Sequence, residues 1–172
     1  SFGGSAACGA AYQQAIDELR GVAFADGGMG AVVVAAAGNE WSAPTRPASC
    51  QRVVGVGALN RDGFKTNYSN FGAALTVSTV GGDDSDGAWG PWLADSGLLT
   101  IGNTGLTAPG ASDYFFHFGT SFSAPVVSGA ASLMLSINPD LTVDQIIAGL
   151  KASARPHVRS GVPGVGQCSE SN

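Results

Sequence analysis

The run Ala31–Ala37, Ala-Val-Val-Val-Ala-Ala-Ala, constrains this chain most. It is apolar throughout, β-branched at its centre and bounded by glycines, as suits a strand covered on both faces. Such strands belong inside a parallel sheet, where helices make the crossovers. The flanking sequence supplies the parts. Ala10–Arg20 spaces Ala11, Ala15, Ile16 and Leu19 along one helical face, and Asp26-Gly27-Gly28 marks a turn. Val53–Leu59 repeats the strand pattern with small residues between valines, and Leu75–Val80 is a third strand. Alternating helix and apolar strand predicts an α/β parallel sheet in preference to a sandwich.

Further on, Ser121–Ile137 reads as a long helix so poor in charge that it is expected to be buried. Thr142-Val143-Asp144-Gln145 is a capping box opening an amphipathic helix that carries Ile146, Ile147 and Leu150. Residues 83–118 read as an irregular, Gly-rich loop containing Asp83, Asp84, Asp86, Trp89 and Trp92. Past Pro156 the pattern dissolves, so 1–154 is expected to form the folded unit and 155–172 a tail.

Composition excludes several classes. With 44% hydrophobic and only 12% charged residues, the chain is not disordered. A net charge of −5 argues against nucleic-acid binding, which needs a basic footprint. No run reaches the roughly 18 apolar residues of a membrane span. The sequence opens without a basic, apolar targeting signal, and Ser1 reads as the interior of something larger. Three cysteines without a C-x-x-C fit neither a zinc site nor a redox motif. Cys8 and Cys50 flank the central strands and could pair, which would leave Cys168 with a partner outside the chain. His117 and His157 lack metal-ligand spacing to the cysteines. There is no G-x-S-x-G elbow, and Gly28-Met29-Gly30 precedes its strand instead of following one, which is wrong for a dinucleotide loop.

Two segments carry chemistry. Gly119-Thr120-Ser121-Phe122-Ser123-Ala124-Pro125 runs into the small-residue helix, and Ala35-Ala36-Ala37-Gly38-Asn39-Glu40 ends the buried strand. At a helix N-terminus, Ser121 meets orphan amides and a dipole that favour negative charge, as on an attacked carbonyl. Small neighbours at Gly119, Thr120 and Ala124 let a substrate backbone approach. Asn39 offers an uncharged amide donor from a rigid strand end. Taken alone, Ser121 reads as an N-cap and Asn39 as a turn former. Together with Ser1-Phe2-Gly3-Gly4, Val53-Val54-Gly55-Val56-Gly57-Ala58 and Ser69-Asn70-Phe71-Gly72, in this order and spacing, they resemble the subtilases.

The resemblance implies the C-terminal part of a three-layer α/β subtilisin-like fold with a mostly parallel sheet. It implies a secreted serine endopeptidase, with Ser121 the nucleophile and Asn39 an oxyanion donor. Ser1, Phe2, Gly3, Ala36, Ala37 and Gly38 would wall the first pocket, with Thr45 near its floor and Glu40 at its rim. That pocket reads as uncharged apart from Glu40, with a broad preference for apolar residues and tolerance of basic ones. The family's Asp and His precede the segment matched by Ser1–Gly4, so an N-terminal part of the protease is the implied partner and this chain alone is expected to be inactive. His117 is expected to be a surface or substrate-side residue. Cys8–Cys50 would be a disulfide and Arg46–Pro47 a cis bond. No cofactor is required for the chemistry; structural Ca²⁺ at Asp83, Asp84 and Asp86 is the weaker reading beside a solvated acidic loop. Departures are Phe122, Phe118 and Val126, where the family often has Met, Asn and His; the two Phe would narrow the leaving-group side. The family's Ala-Pro-Gly turn is matched here by Thr79-Val80-Gly81. The rival reading is a catalytically incomplete scaffold or peptide-binding pseudo-enzyme; an unrelated structural α/β domain is a more distant one.

Overall fold

In a computed structural model of the chain, the structure describes residues 3–22, 30–83 and 97–157. Three parallel strands form the central sheet in the order β1 (Val34–Ala36), β2 (Val54–Leu59), β3 (Val77–Val80). The register pairs Val34 with Val54 and Val56 with Val77. β1 is shorter than its apolar run, although Val33 O and Ala37 N still bond to Val54 N and Val56 O. β2 is central, and only its last residue, Leu59, is not buried, which explains its run of valines and small residues.

Alternate side chains feed two cores, as the pleat requires. Val54 and Val56 pack with Val127, Ala131, Ile146 and Leu150 on one face. Ala35 and Val53 pack with Ile16, Ala48 and Cys50 on the other. Helix α1 (Ala10–Arg20) covers the second face, while α2 (Thr120–Ile137) and α3 (Val143–Ser153) cover the first. Each buried valine contributes roughly 1.5–3 kcal/mol. The three-layer expectation holds, as does the capping box: Gln145 N donates to Thr142 Oγ1 and Thr142 N to Gln145 Oε1.

Three expectations are corrected. α2 is buried along one stripe only, at Thr120, Ser123, Val127 and Ala131, while Leu133 and Ile137 are 68% and 86% exposed. The sheet and α3 cover one side of α2, and nothing among the described residues covers the other. By length and composition α2 is also long and apolar enough to span a membrane, contrary to the sequence expectation. Its stripe against β1, β2 and β3 makes it instead the core helix of this sheet.

The third correction concerns 83–118. β4 (Leu98–Asn103) and β5 (Ser112–His117) form an antiparallel hairpin there. Its connection is closed by Asn103, whose Oδ1 accepts from Gly105 N and Gly110 N and whose Nδ2 donates to Gly110 O. The hairpin escaped the sequence pattern because the paired residues Leu99 with Phe116 and Ile101 with Tyr114 share an exposed face. Apolar residues therefore stand on the solvent side, and no polar alternation marks the strands. The expected turn at 26–28, Trp89, Trp92 and Cys168 lie outside the described residues.

Candidate active site

The site forms where the carboxyl end of β1 meets the amino end of α2. Gly119, φ +139°, occupies the N-cap position with a backbone that L side chains rarely adopt, so Thr120 and Ser121 open the helix. Ser121 thus lies in the first turn, whose amides point out of the helix end. Pro125 has no N–H and removes the partner that the Ser121 carbonyl would have found one turn on.

Asn39 is held by its oxygen. Thr120 N and Thr120 Oγ1 both donate to Asn39 Oδ1, at 3.0 and 2.8 Å. A backbone N–H can only donate, so this fixes which end of the carboxamide is oxygen. Nδ2 then faces away from the helix amide, and among the described residues it donates to nothing. Thr120 Oγ1 also accepts from Gly38 N at 3.2 Å, so one buried hydroxyl ties the strand loop to the helix. The sequence had assigned Thr120 only the role of a small neighbour.

A second brace was missed entirely. Asn70 is fully buried; its Oδ1 accepts from Glu40 N and Ser42 N at 3.0 and 2.9 Å, and its Nδ2 donates to Ala37 O and Glu40 Oε2 at 3.0 and 2.8 Å. The segment Ser69–Gly72 announced a turn, but nothing local shows that its amide organises residues thirty positions away. Gly38, φ +103°, is needed beside it, because a Cβ there would collide with Asn70 Nδ2 and Glu40 Oε2. Tyr68 completes the frame by accepting from Gly119 N at 2.9 Å and donating to Gly82 O at 2.6 Å.

Beside this frame lies a cleft of about 540 Å³ lined by Ser121, Asn39, Gly38, Ala36, Glu40, Thr45 and Gly3. Gly4, Ser5, Ser42, Arg46 and Thr120 line it too; of these, Ser5, Ser42 and Arg46 were not expected from the sequence. Arg46 corrects the expectation of an uncharged pocket with one acidic group: the cleft carries both signs. Ala37, one residue past β1, is fully buried and does not line the cleft. Ser1 and Phe2 lie outside the described residues.

His117 ends β5, exposed, with its ring stacked on Phe122 at 5.3 Å. It engages rings, not Ser121, among the described residues. Phe118 packs on Tyr68 at 5.6 Å. Cys8 and Cys50 form a disulfide, with Cα atoms 4.9 Å apart, and Arg46–Pro47 is cis. Asp83 is buried just after β3, while Asp84 and Asp86 lie outside the described residues, which contain no group of three potential metal ligands.

A family model described as the subtilase family matches residues 1–166. The chain is 35% identical over 171 residues to an extracellular protease of Xanthomonas campestris pv. campestris, covering 96% of this chain and 26% of that protein. It is 32% identical over 130 residues to Subtilisin NAT of Bacillus subtilis subsp. natto, covering 73% of this chain and 29% of that one. A calcium-dependent protease of Nostoc sp. is 34% identical over 132 residues, 73% of this chain and 20% of the relative. Among solved structures, a protease from Pseudoalteromonas arctica PAMC 21717 superposes with a TM-score of 0.75 at 34% identity, over 91% of this chain and 43% of that one. The chain thus spans between a fifth and three tenths of these curated relatives.

Proposed function

Because this chain belongs to the subtilase family, we propose that it is the nucleophile-bearing part of a secreted serine endopeptidase that cleaves peptide bonds through an acyl-enzyme on Ser121. One observation carries the reading: Ser121 and Asn39 line one cleft, and Thr120 fixes the asparagine oxygen so that its amide is left for another acceptor. Ser121 Oγ attacks the scissile carbonyl carbon as its proton passes to a base. The carbonyl oxygen becomes an oxyanion, and Asn39 Nδ2 with the Ser121 amide stabilises it. Collapse expels the amine, which takes the proton, and leaves an ester on Ser121; water then hydrolyses the ester by the same steps.

The base and its orienting carboxylate, a His and an Asp on the family pattern, are proposed to come from protein outside these 172 residues. Secretion is proposed from the relatives named extracellular proteases. The Nostoc relative is named calcium-dependent; with no trio of ligands among the described residues, no step here is routed through calcium.

A fluorophosphonate probe on the full-length protein tests the proposal. Labelling should map to Ser121, disappear in Ser121→Ala, and run parallel to peptide hydrolysis. Peptide binding without labelling would assign the chain instead to a peptide-binding pseudo-enzyme.

A further inference from the structure

We propose that Arg46 gives this cleft a carboxylate-binding subsite, so that the enzyme prefers substrates with an acidic side chain close to the scissile bond. The inference rests on the protease reading above and adds a substrate class to it.

Arg46 lines the same cleft as Ser121 and Asn39. Its backbone is clamped on both sides: Gly4 N donates to Arg46 O at 3.1 Å, and Arg46 N donates to Ala6 O at 2.9 Å. The side chain lies flat against Gly4, where any Cβ would run into its Nε, Cζ and Nη2 atoms. On its other side the guanidinium covers the Tyr12 ring at 5.1 Å. An arginine so placed is pre-organised, because little rotamer freedom remains to be lost on binding.

The cation meets no anion among the described residues. Among the described residues no carboxylate lies within 4.0 Å of it, whereas Arg20, Arg52 and Arg61 each pair with an aspartate. Its Nε is buried and has no hydrogen-bond partner there. A guanidinium cannot escape burial by losing its proton, and it carries five donors and no acceptor. The cleft's other charge, Glu40, is engaged by Asn70 Nδ2 and does not reach Arg46. With Nε and one side of Nη2 against Gly4 and the group over Tyr12, the Nη1–Nη2 end is what remains for a planar acceptor. A carboxylate matches that end with paired, charge-assisted hydrogen bonds. The Glu40 side of the cleft, opposite in sign, would then disfavour the same carboxylate, so the preference is confined to one substrate position.

The test compares peptide pairs carrying Glu or Gln at each position flanking the cleaved bond, with the full-length protein. One position should show a kcat/KM about five- to tenfold higher for Glu, less at high salt. Arg46→Gln should bring that ratio to about one, and Arg46→Lys should retain part of it, because charge remains while the fork is lost. If Arg46→Gln fails to fold, the wild-type ratio and its fall in Arg46→Lys still decide. A second arm measures calorimetric binding of the same peptides to Ser121→Ala, where no turnover is needed. Glu-selective binding to Ser121→Ala, together with neither hydrolysis nor probe labelling by the wild-type protein, would sink the protease reading and keep the subsite. Equal affinity for Glu and Gln at every position, or a preference unchanged in Arg46→Lys and Arg46→Gln, would overturn the subsite.

Discussion

At the scale of single residues, two asparagines separate chemistry from support. Asn39 is exposed and, among the described residues, its side chain is anchored only through its oxygen, so removing it frees the two Thr120 donors but takes nothing out of the apolar core. In the full-length enzyme, Asn39→Ala should lower kcat by about 10²–10³ and leave KM nearly unchanged, a scale taken from subtilisin's own oxyanion asparagine. Kinetics on active-site-titrated protein check this; a kcat within about threefold of wild type would return Asn39 to the role of turn former. Asn70 is the opposite case, buried with its oxygen and nitrogen both engaged. Asn70→Ala strands two loop amides and a carbonyl, and should destabilise by about 2–4 kcal/mol. Denaturant unfolding would read that loss. A stability change within about 0.5 kcal/mol would show that the loop from Gly38 to Ser42 holds without it.

At the scale of elements, the working joint lies between the end of β3 and the start of α2. Gly119 N donates to Gly81 O at 2.9 Å, and Ser123 Oγ donates to Thr79 O at 3.3 Å. Gly81 is there for contact, not for its backbone angles: a Cβ would sit 2.5 Å from Ser123 Oγ and 2.6 Å from Ala58 Cβ. Ser123 Oγ could turn about χ1, but Ala58 Cβ cannot move without its backbone, and the Gly119 carbonyl is 3.1 Å away. Gly81→Ala should therefore destabilise by about 1–3 kcal/mol and slow Ser121 labelling, since relief requires α2 to slide from the sheet. Unchanged unfolding and labelling would mean that the joint is looser than its packing. Gly129, with open space around its Cβ position, is the matched control on the same helix.

At the scale of the whole molecule, one covalent link ties a flank to the sheet, while α2 and the hairpin keep an apolar face exposed. The Cys8–Cys50 bridge spans a sequence separation of 42 and joins the segment before α1 to the core under β2. The chain-entropy model puts its contribution at roughly 4 kcal/mol. Replacing both cysteines by Ser should lower stability by up to that amount, and peptide mapping that found both thiols free would refute the bond itself. Leu133, Ile137, Leu99 and Ile101 meanwhile stand exposed. Residues 1–172 expressed alone should be poorly soluble and hydrolyse no peptide, with activity restored when the remainder of the protease is supplied. Equal activity with and without that remainder would count against the proposed division of the catalytic group.

Much of this was determined locally. The valine runs, the face of Ala10–Arg20 and the box Thr142–Gln145 announce their elements, because hydrophobic period and capping chemistry act between near neighbours in the chain. Ser121 and Asn39 could likewise be singled out, since each sits at an element's end where its backbone context is written beside it. What the sequence could not decide was which distant groups would meet. Thr120 became the clasp on Asn39, Asn70 the brace of the loop and Arg46 the cleft's cation only when β1, β2 and α2 packed together. The exposed side of α2 and the hairpin Leu98–His117 were decided in the same way. A hydrogen bond spanning thirty or eighty residues leaves no periodicity to read, and an apolar residue carries no mark of whether anything covers it.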